Sequence, residues 1–255
     1  MARLKASYLA LVFGFLYLPM AVLMAYSFNS SKYGVRWDEF TLGWYVSLAA
    51  DDTLLEAAAN SLRVASLAAS LACVVGTLGA FALYRYRFQG RNVLQGLLSV
   101  TLMSPDIVMA VSLLVLFIAL HVKLGFWTLL LSHTTFCLPF VTVTVTSRLE
   151  GFDEHLLEAA ADLGAGEWQA LRQIVLPLAL PSILAAWLLS FTLSLDDVVV
   201  SFFVTGPDFD VLPLKIYSMV RLGVKPEVNA LASVLFVASL LIVSGAQYLL
   251  SRKPR

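Results

Sequence analysis

The stretch RLEGFDEHLLEAAADLGAGEWQALRQIVLPLALP, Arg148–Pro181, stands between two long apolar runs, and its reading decides what kind of protein this is. Asp153 is placed to cap a helix that carries Leu156, Leu157, Ala160, Ala161 and Leu163 on one side. Gly164 and Gly166 then close it, because helices commonly end on a glycine in the left-handed conformation. A second helix from Glu167 is expected to stop near Pro177, since proline disfavours helix in the residue before it. The pattern predicts two short amphipathic helices at a bend between membrane-crossing segments.

The segments on either side set the solvent. The chain of 255 residues is 60% hydrophobic and 13% charged, with a mean hydropathy of +0.84. Soluble domains average about 45–50% apolar and roughly 25% charged. A bilayer core of about 30 Å needs roughly 20 apolar residues per helical span. Six runs qualify, at about 8–28, 61–84, 93–120, 127–147, 180–204 and 228–250. Barrel strands would be about 10 residues long with strict alternation, a pattern absent from these blocks. The expected class is all-α: a polytopic membrane protein with six transmembrane helices. No Ser/Gly-rich linker or charge block divides the chain, so residues 1–255 read as a single transmembrane domain.

Net charge is zero, so only its placement informs. Arg3, Lys5, Arg85, Arg87, Arg91, Arg148, Arg172, Arg252, Lys253 and Arg255 fall on one side, ten against seven on the other. The excess of basic residues in cytoplasmic segments then places both termini in the cytoplasm. The first apolar run exceeds the usual 7–15-residue signal core and contains Pro19, so it reads as an uncleaved anchor. Cys73 and Cys137 fall inside spans and read as packing residues. His133 and the threonines of span four, among them Thr134, Thr135 and Thr142, read as interhelical hydrogen-bonding groups. No second His or Cys stands at ligand spacing, so no metal site is expected. Outside the bilayer, Trp37, Trp44 and Tyr45 suit the interface. Gly206 and Pro207 open a turn, and a short interfacial helix is expected near Leu214–Leu222.

Within the cytoplasmic bend the spacing is Glu158-Ala159-Ala160, three residues, Gly164, nine residues, Ile174, one residue, Leu176-Pro177. This resembles the EAA loop of ABC-transporter permeases at every consensus position. ALYRYRF at 82–88, MSPDIVMAVSLLVLF at 103–117 and LSFTLSLDDVVVSFFVTGP at 189–207 extend the resemblance toward permease subunits of bacterial spermidine/putrescine importers. The resemblance implies a type I importer of MetI-like architecture in the bacterial inner membrane. The helix from Glu158 to Gly164 would be the coupling helix that seats on the ATPase. A second, different permease subunit, two ATPase subunits and a periplasmic polyamine-binding protein would complete the machine. The chain has no G-x-x-x-x-G-K-[ST] phosphate loop. It therefore reads as non-catalytic and without a cofactor of its own, with ATP and magnesium on the partner ATPase.

Acids inside spans are costly, at least about 2.5–3.5 kcal/mol each on insertion scales, and mark functional sites by default. Asp106, Asp196 and Asp197 qualify. Counted along straight helices at 1.5 Å per residue, Asp106 lies roughly 20 Å and Asp197 roughly 25 Å from the cytoplasmic side. Ser190, Ser194, Asp197 and Ser201 recur at helical spacing, so Asp197 is expected to face the pathway while Asp196 sits about 100° away. Ser104 can cap, and Pro105 open, a helix segment at Asp106, which also fits a break in the overlong third span. A polycation would relieve repulsion between the adjacent carboxylates. Trp44, Tyr45, Trp187 and Phe191 are candidate aromatic faces for its ammonium groups. Purely structural roles stand beside each assignment: an amide cap for Asp106, hydrogen bonding for Asp196 and Asp197, and packing for the aromatics. Transport of another solute, or an ion-coupled carrier with the aspartates as ion sites, are the alternative functions. The second of these leaves the EAA loop unexplained.

Overall fold

The computed structural model describes residues 2–31, 36–153, 155–221 and 226–251. Lys32, Lys225, Arg252, Lys253 and Arg255, counted above for topology, lie outside the described residues. The described elements are helical: α1 (Ala2–Tyr26), α2 (Gly43–Ala49), α3 (Asp52–Arg85), α4 (Arg91–Met103), α5 (Asp106–Ala119), α6 (Phe126–Leu149), α7 (His155–Asp162), α8 (Glu167–Ala170), a π turn (Leu171–Val175), α9 (Leu176–Asp196), α10 (Val199–Val204), α11 (Leu212–Arg221) and α12 (Pro226–Ser251). The interfacial helix expected near Leu214 is α11.

By length and composition, four helices can cross a membrane: Ser7–Tyr26, Asp52–Arg85, Phe126–Leu149 and Glu167–Asp196. The bent pair α4 and α5 makes a fifth if it counts as one span. The expected sixth span, 228–250, falls in α12, whose described apolar part is Pro226–Ala238.

The chain divides into two compact units: residues 1–56 with 215–255, and residues 57–214. In the first, α12 packs on α1 and α2. Its loop between α1 and α2 is organised by the fully buried Asn29. The Asn29 amide donates to the Arg36 carbonyl (2.7 Å) and its Oδ1 accepts from the Asp38 amide (2.9 Å). Phe28 stacks on Phe40 at 5.3 Å beside the Asn29–Phe40 bridge. The Trp44 Nε1–H donates to the Asn29 carbonyl (2.8 Å), and the Tyr45 hydroxyl pairs with Ser27 (2.6 Å). Buried indole and phenol groups seek such partners, so both polar handles are spent on the loop.

In the second unit, α3, α6 and α9 share a core of Ala72, Ala80, Phe81, Cys137, Val141, Val145, Ala179 and Ala186. Small residues at such a face let membrane helices approach closely. Cys73 and Cys137 are free and buried there, as expected of packing residues. A second cluster joins Val64 of α3, Ala110 and Phe117 of α5, Leu129 of α6, and Val200 and Val204 of α10.

Three sequence expectations change. The helix opened at Glu167 does not stop near Pro177 but continues to Asp196, through the π turn and past Pro177 and Pro181. Pro177 follows directly on the wider turn at Leu171–Val175, where the ordinary helical hydrogen-bond register is already interrupted and a residue without an N–H is accommodated. The expected second short helix is therefore the start of a long span. The span expected at 180–204 is not one helix, because the backbone turns extended at Asp197 (φ −65°, ψ 125°). Thr134, Thr135 and Thr142 bond carbonyls four residues back in their own helix rather than across to a neighbour.

Candidate functional site

The adjacent acids part company at the break between α9 and α10. Asp197 ends α9 and turns its carboxylate onto the first turn of α10, accepting from the amides of Ser201 (2.7 Å) and Val200 (3.2 Å). A short polar side chain at such a position satisfies amides that have no partner in the helix. Its side chain is only 7% exposed and faces His133 of α6, with Nε2 at 3.5 Å. The helical stripe expected to line a pathway is turned inward: Ser190, Ser194 and Ser201 are all buried. The residues do gather on one face as their spacing predicts, but that face is packed on His133 of α6. Asp196 is the exposed member of the pair. Asp197, expected to face outward, is thus the inward member.

His133 holds both sides of the break. Its Nδ1 pairs with Ser194 of α9 (2.6 Å) and its Nε2 with Ser201 of α10 (3.1 Å). At the far end of α10, the Thr128 hydroxyl donates to the Val204 carbonyl (2.8 Å). Beyond it, a Cβ at Gly206 would collide with the Leu124 carbonyl. The glycine read as a turn residue is required by close backbone approach.

Asp106 opens α5, where a carboxylate suits the positive end of the helix. The residue before it, Pro105, takes the cap position with extended backbone (φ −60°, ψ 136°), and Ser104 makes no side-chain cap bond. The expected cap by Ser104 is corrected on this point. The break itself is present and is sharper than a kink, a bend of 114° between α4 and α5. Depth counted along a straight helix therefore does not apply to Asp106. Asp106 is exposed, and the α5 it heads packs on α10 through Ala110, Val200 and Val204. Trp187 and Phe191 stack face to face on α9 at 5.3 Å, and the Trp187 indole donates to Ser70 of α3 (3.0 Å). Trp44 and Tyr45 belong to the other compact unit, where they hold the loop around Asn29.

The bend between α6 and α9 carries the second candidate surface. The Asp153 carboxylate accepts from the His155 amide (3.0 Å), as its position predicts. Glu158 and Ala159 are exposed on α7, and Ala160 is buried. Gly164 adopts φ +81°. The Ala165 amide reaches the Ala160 carbonyl and the Gly164 amide reaches that of Ala161, both at 2.9 Å. This double closure is the Schellman motif. Downstream, Ile174 and Leu176 are half-buried and Pro177 exposed, while Leu171 and Val175 on the same stretch are buried in the core. Motif reading missed two partners here, since the Tyr86 hydroxyl bonds the Glu167 carboxylate from the end of α3. No spacing rule connects positions so far apart.

Residues 55–255 match the family of binding-protein-dependent transport system inner membrane components. The chain belongs to this family. It is 56% identical over 99% of its length to the spermidine/putrescine transport system permease protein PotC of Escherichia coli (strain K12), covering 96% of that protein. Identity is 54% to PotC of Haemophilus influenzae (98% and 97% covered) and 42% to the putrescine transport system permease protein PotI of Escherichia coli (strain K12) (96% and 89% covered). Among solved structures, the fold is similar to a chain of a bacterial ABC transporter that imports the acidic polysaccharide alginate. The TM-score is 0.80 at 16% identity, with 97% of this chain and 95% of that chain covered. The MetNI methionine ABC transporter gives 0.66 at 19% identity, with 78% and 94% covered.

Proposed function

We propose that this chain is the non-catalytic permease subunit of an ATP-driven importer of spermidine and putrescine. The observation that carries the reading is the 56% identity over nearly the whole chain to a spermidine/putrescine permease. In this reading the chain crosses the membrane six times as one transmembrane unit, in the MetI-like arrangement, with both termini in the cytoplasm. It lines half of the pathway beside a second, different permease subunit. A periplasmic polyamine-binding protein delivers cargo, and two ATPase subunits dock below and hold the ATP and magnesium. A solved relative of the fold was captured with its substrate-bound periplasmic protein, which supports that arrangement.

The substrate is a flexible chain of methylenes ending in ammonium groups. The exposed carboxylates of Asp106 and Asp196 supply counter-charge within the helical region, where water competes least. The stacked Trp187 and Phe191 offer an aromatic face of the kind that attracts cations. Asp197, turned inward, supports the site through the backbone it caps. Glu158, Ala159 and Ala160 on α7 meet the ATPase, and Gly164, Ile174, Leu176 and Pro177 carry that contact into α9. Closure of the ATPase dimer on ATP then moves α7, and with it the long helix that ends at Asp196.

Uptake of radiolabelled spermidine and putrescine by the reconstituted complex, with other solutes as competitors, tests the assignment. Uptake that depends on ATP and resists competition by amino acids and sugars is the expected outcome. Transport by this chain alone without ATP would overturn it.

A further inference from the structure

The segment LSLDDVVVS, 193–201, contains neither glycine nor proline. Sharp breaks in helices nearly always coincide with one of these, a π-bulge or an inserted side chain. Val198–Val200 lower helix propensity only slightly. The break is therefore maintained by side chains, and two are in position. The Asp197 carboxylate replaces the missing backbone acceptors for Val200 and Ser201. His133 then grips the residues before and after the break at once, through Ser194 and Ser201, and faces Asp197. The tautomer that satisfies every contact carries its hydrogen on Nε2, toward Ser201 and Asp197, and accepts the Ser194 hydroxyl hydrogen on Nδ1. His133 is 2% exposed, so losing either contact would leave a polar group without water to replace it.

We propose that His133 is a positioning residue for the substrate pathway: it fixes the break between α9 and α10 directly beside the exposed Asp196, and holds Asp197 turned onto the first turn of α10. Without this grip, the 190–201 segment can re-form a continuous helix. Asp197 would then release the Val200 and Ser201 amides to backbone acceptors, and α10 would move relative to the Asp196 carboxylate at the end of α9. The inference rests on the reading of Asp196 as a pathway acid.

Two conservative variants separate positioning from packing. His133→Gln carries an amide to the depth of Nε2 and can still donate to Ser201 and Asp197. His133→Asn reaches only the depth of Nδ1 and keeps Ser194 alone. In the reconstituted complex, His133→Gln is expected to keep KM for spermidine near that of the parent. His133→Asn is expected to raise it about tenfold with maximal rate little changed. KM values for both variants equal to that of the parent would overturn the proposal. Hydrogen exchange at the Val200 and Ser201 amides tests the grip without reference to any substrate. Exchange about tenfold faster in His133→Asn than in His133→Gln supports it, and equal protection overturns it. A parent complex that takes up no polyamine would instead undo the functional reading, while the exchange result still decides the role of His133.

Discussion

The Tyr86 hydroxyl donates to the Glu167 carboxylate, joining the end of α3 to the first turn of the helix that follows the coupling bend. The two residues lie 81 positions apart, and neither belongs to the EAA spacing. In the proposed coupling, a force applied at α7 would pass through Gly164 and Glu167 before it reached α9, and this bond would anchor that route against α3.

Tyr86→Phe removes the bond and leaves the ring. Polyamine uptake per ATP hydrolysed is expected to fall roughly twofold, the scale of one exposed hydrogen bond, with the amount of assembled complex unchanged. The bond also has a pH signature. Hydrogen bonding to Glu167 is the main cause that raises the Tyr86 pKa above its ordinary value. A raised value means that the contribution is present below the ordinary tyrosine range and is lost as pH rises through the raised value. Coupling in the parent should weaken over that alkaline window, and Tyr86→Phe should lack the dependence.

Replacing each acid of the pair tests their separate roles. Asp197→Ala leaves the Val200 and Ser201 amides without their acceptor in a buried site, a loss of about 1–3 kcal/mol. Asp196→Ala removes an exposed side chain and should change stability by less than about 0.5 kcal/mol. Thermal unfolding of the purified complex measures the difference, and uptake assays should show the reverse for Asp196→Asn: normal assembly with transport lost.

At the end of α7, Gly164 has φ +81°, a conformation in which a Cβ crowds the following carbonyl. Gly164→Ala should cost roughly 1 kcal/mol locally and Gly164→Val more, whereas Gly164→Asn should be tolerated best. Co-purification of the ATPase subunit with each variant reads the effect, in that order.

Asp51 caps α3, accepting from the Thr53 hydroxyl (2.8 Å), the Thr53 amide (3.0 Å) and the Leu54 amide (3.1 Å). The Thr53 hydroxyl bond is the main cause that lowers the Asp51 pKa, followed by the Leu54 amide. A lowered value contributes stability above the ordinary aspartate range, and that contribution is lost as pH falls through the lowered value. Asp51→Ala should cost about 0.5–1 kcal/mol at neutral pH, a cap discounted for its exposure. The difference between variant and parent should vanish in acid, as followed by thermal unfolding across pH.

Sequence spacing alone determined the solvent, the helical class, the capped bend at Asp153–Gly164 and the family. Each rests on local rules: apolar length against bilayer thickness, a cap three residues from an amide, a glycine where φ must be positive. The same rules placed a break beside Pro105, because proline acts on its own neighbours. They failed at Pro177, where a π turn lets the helix pass, and at Asp197, where nothing in the local sequence calls for a break. Only the tertiary structure decided which of the two adjacent acids faces out. That choice follows from α6 covering the serine stripe of α9, with His133, 64 residues before Asp197 in the chain, against Ser194, and periodicity within one helix carries no information about which side another helix covers.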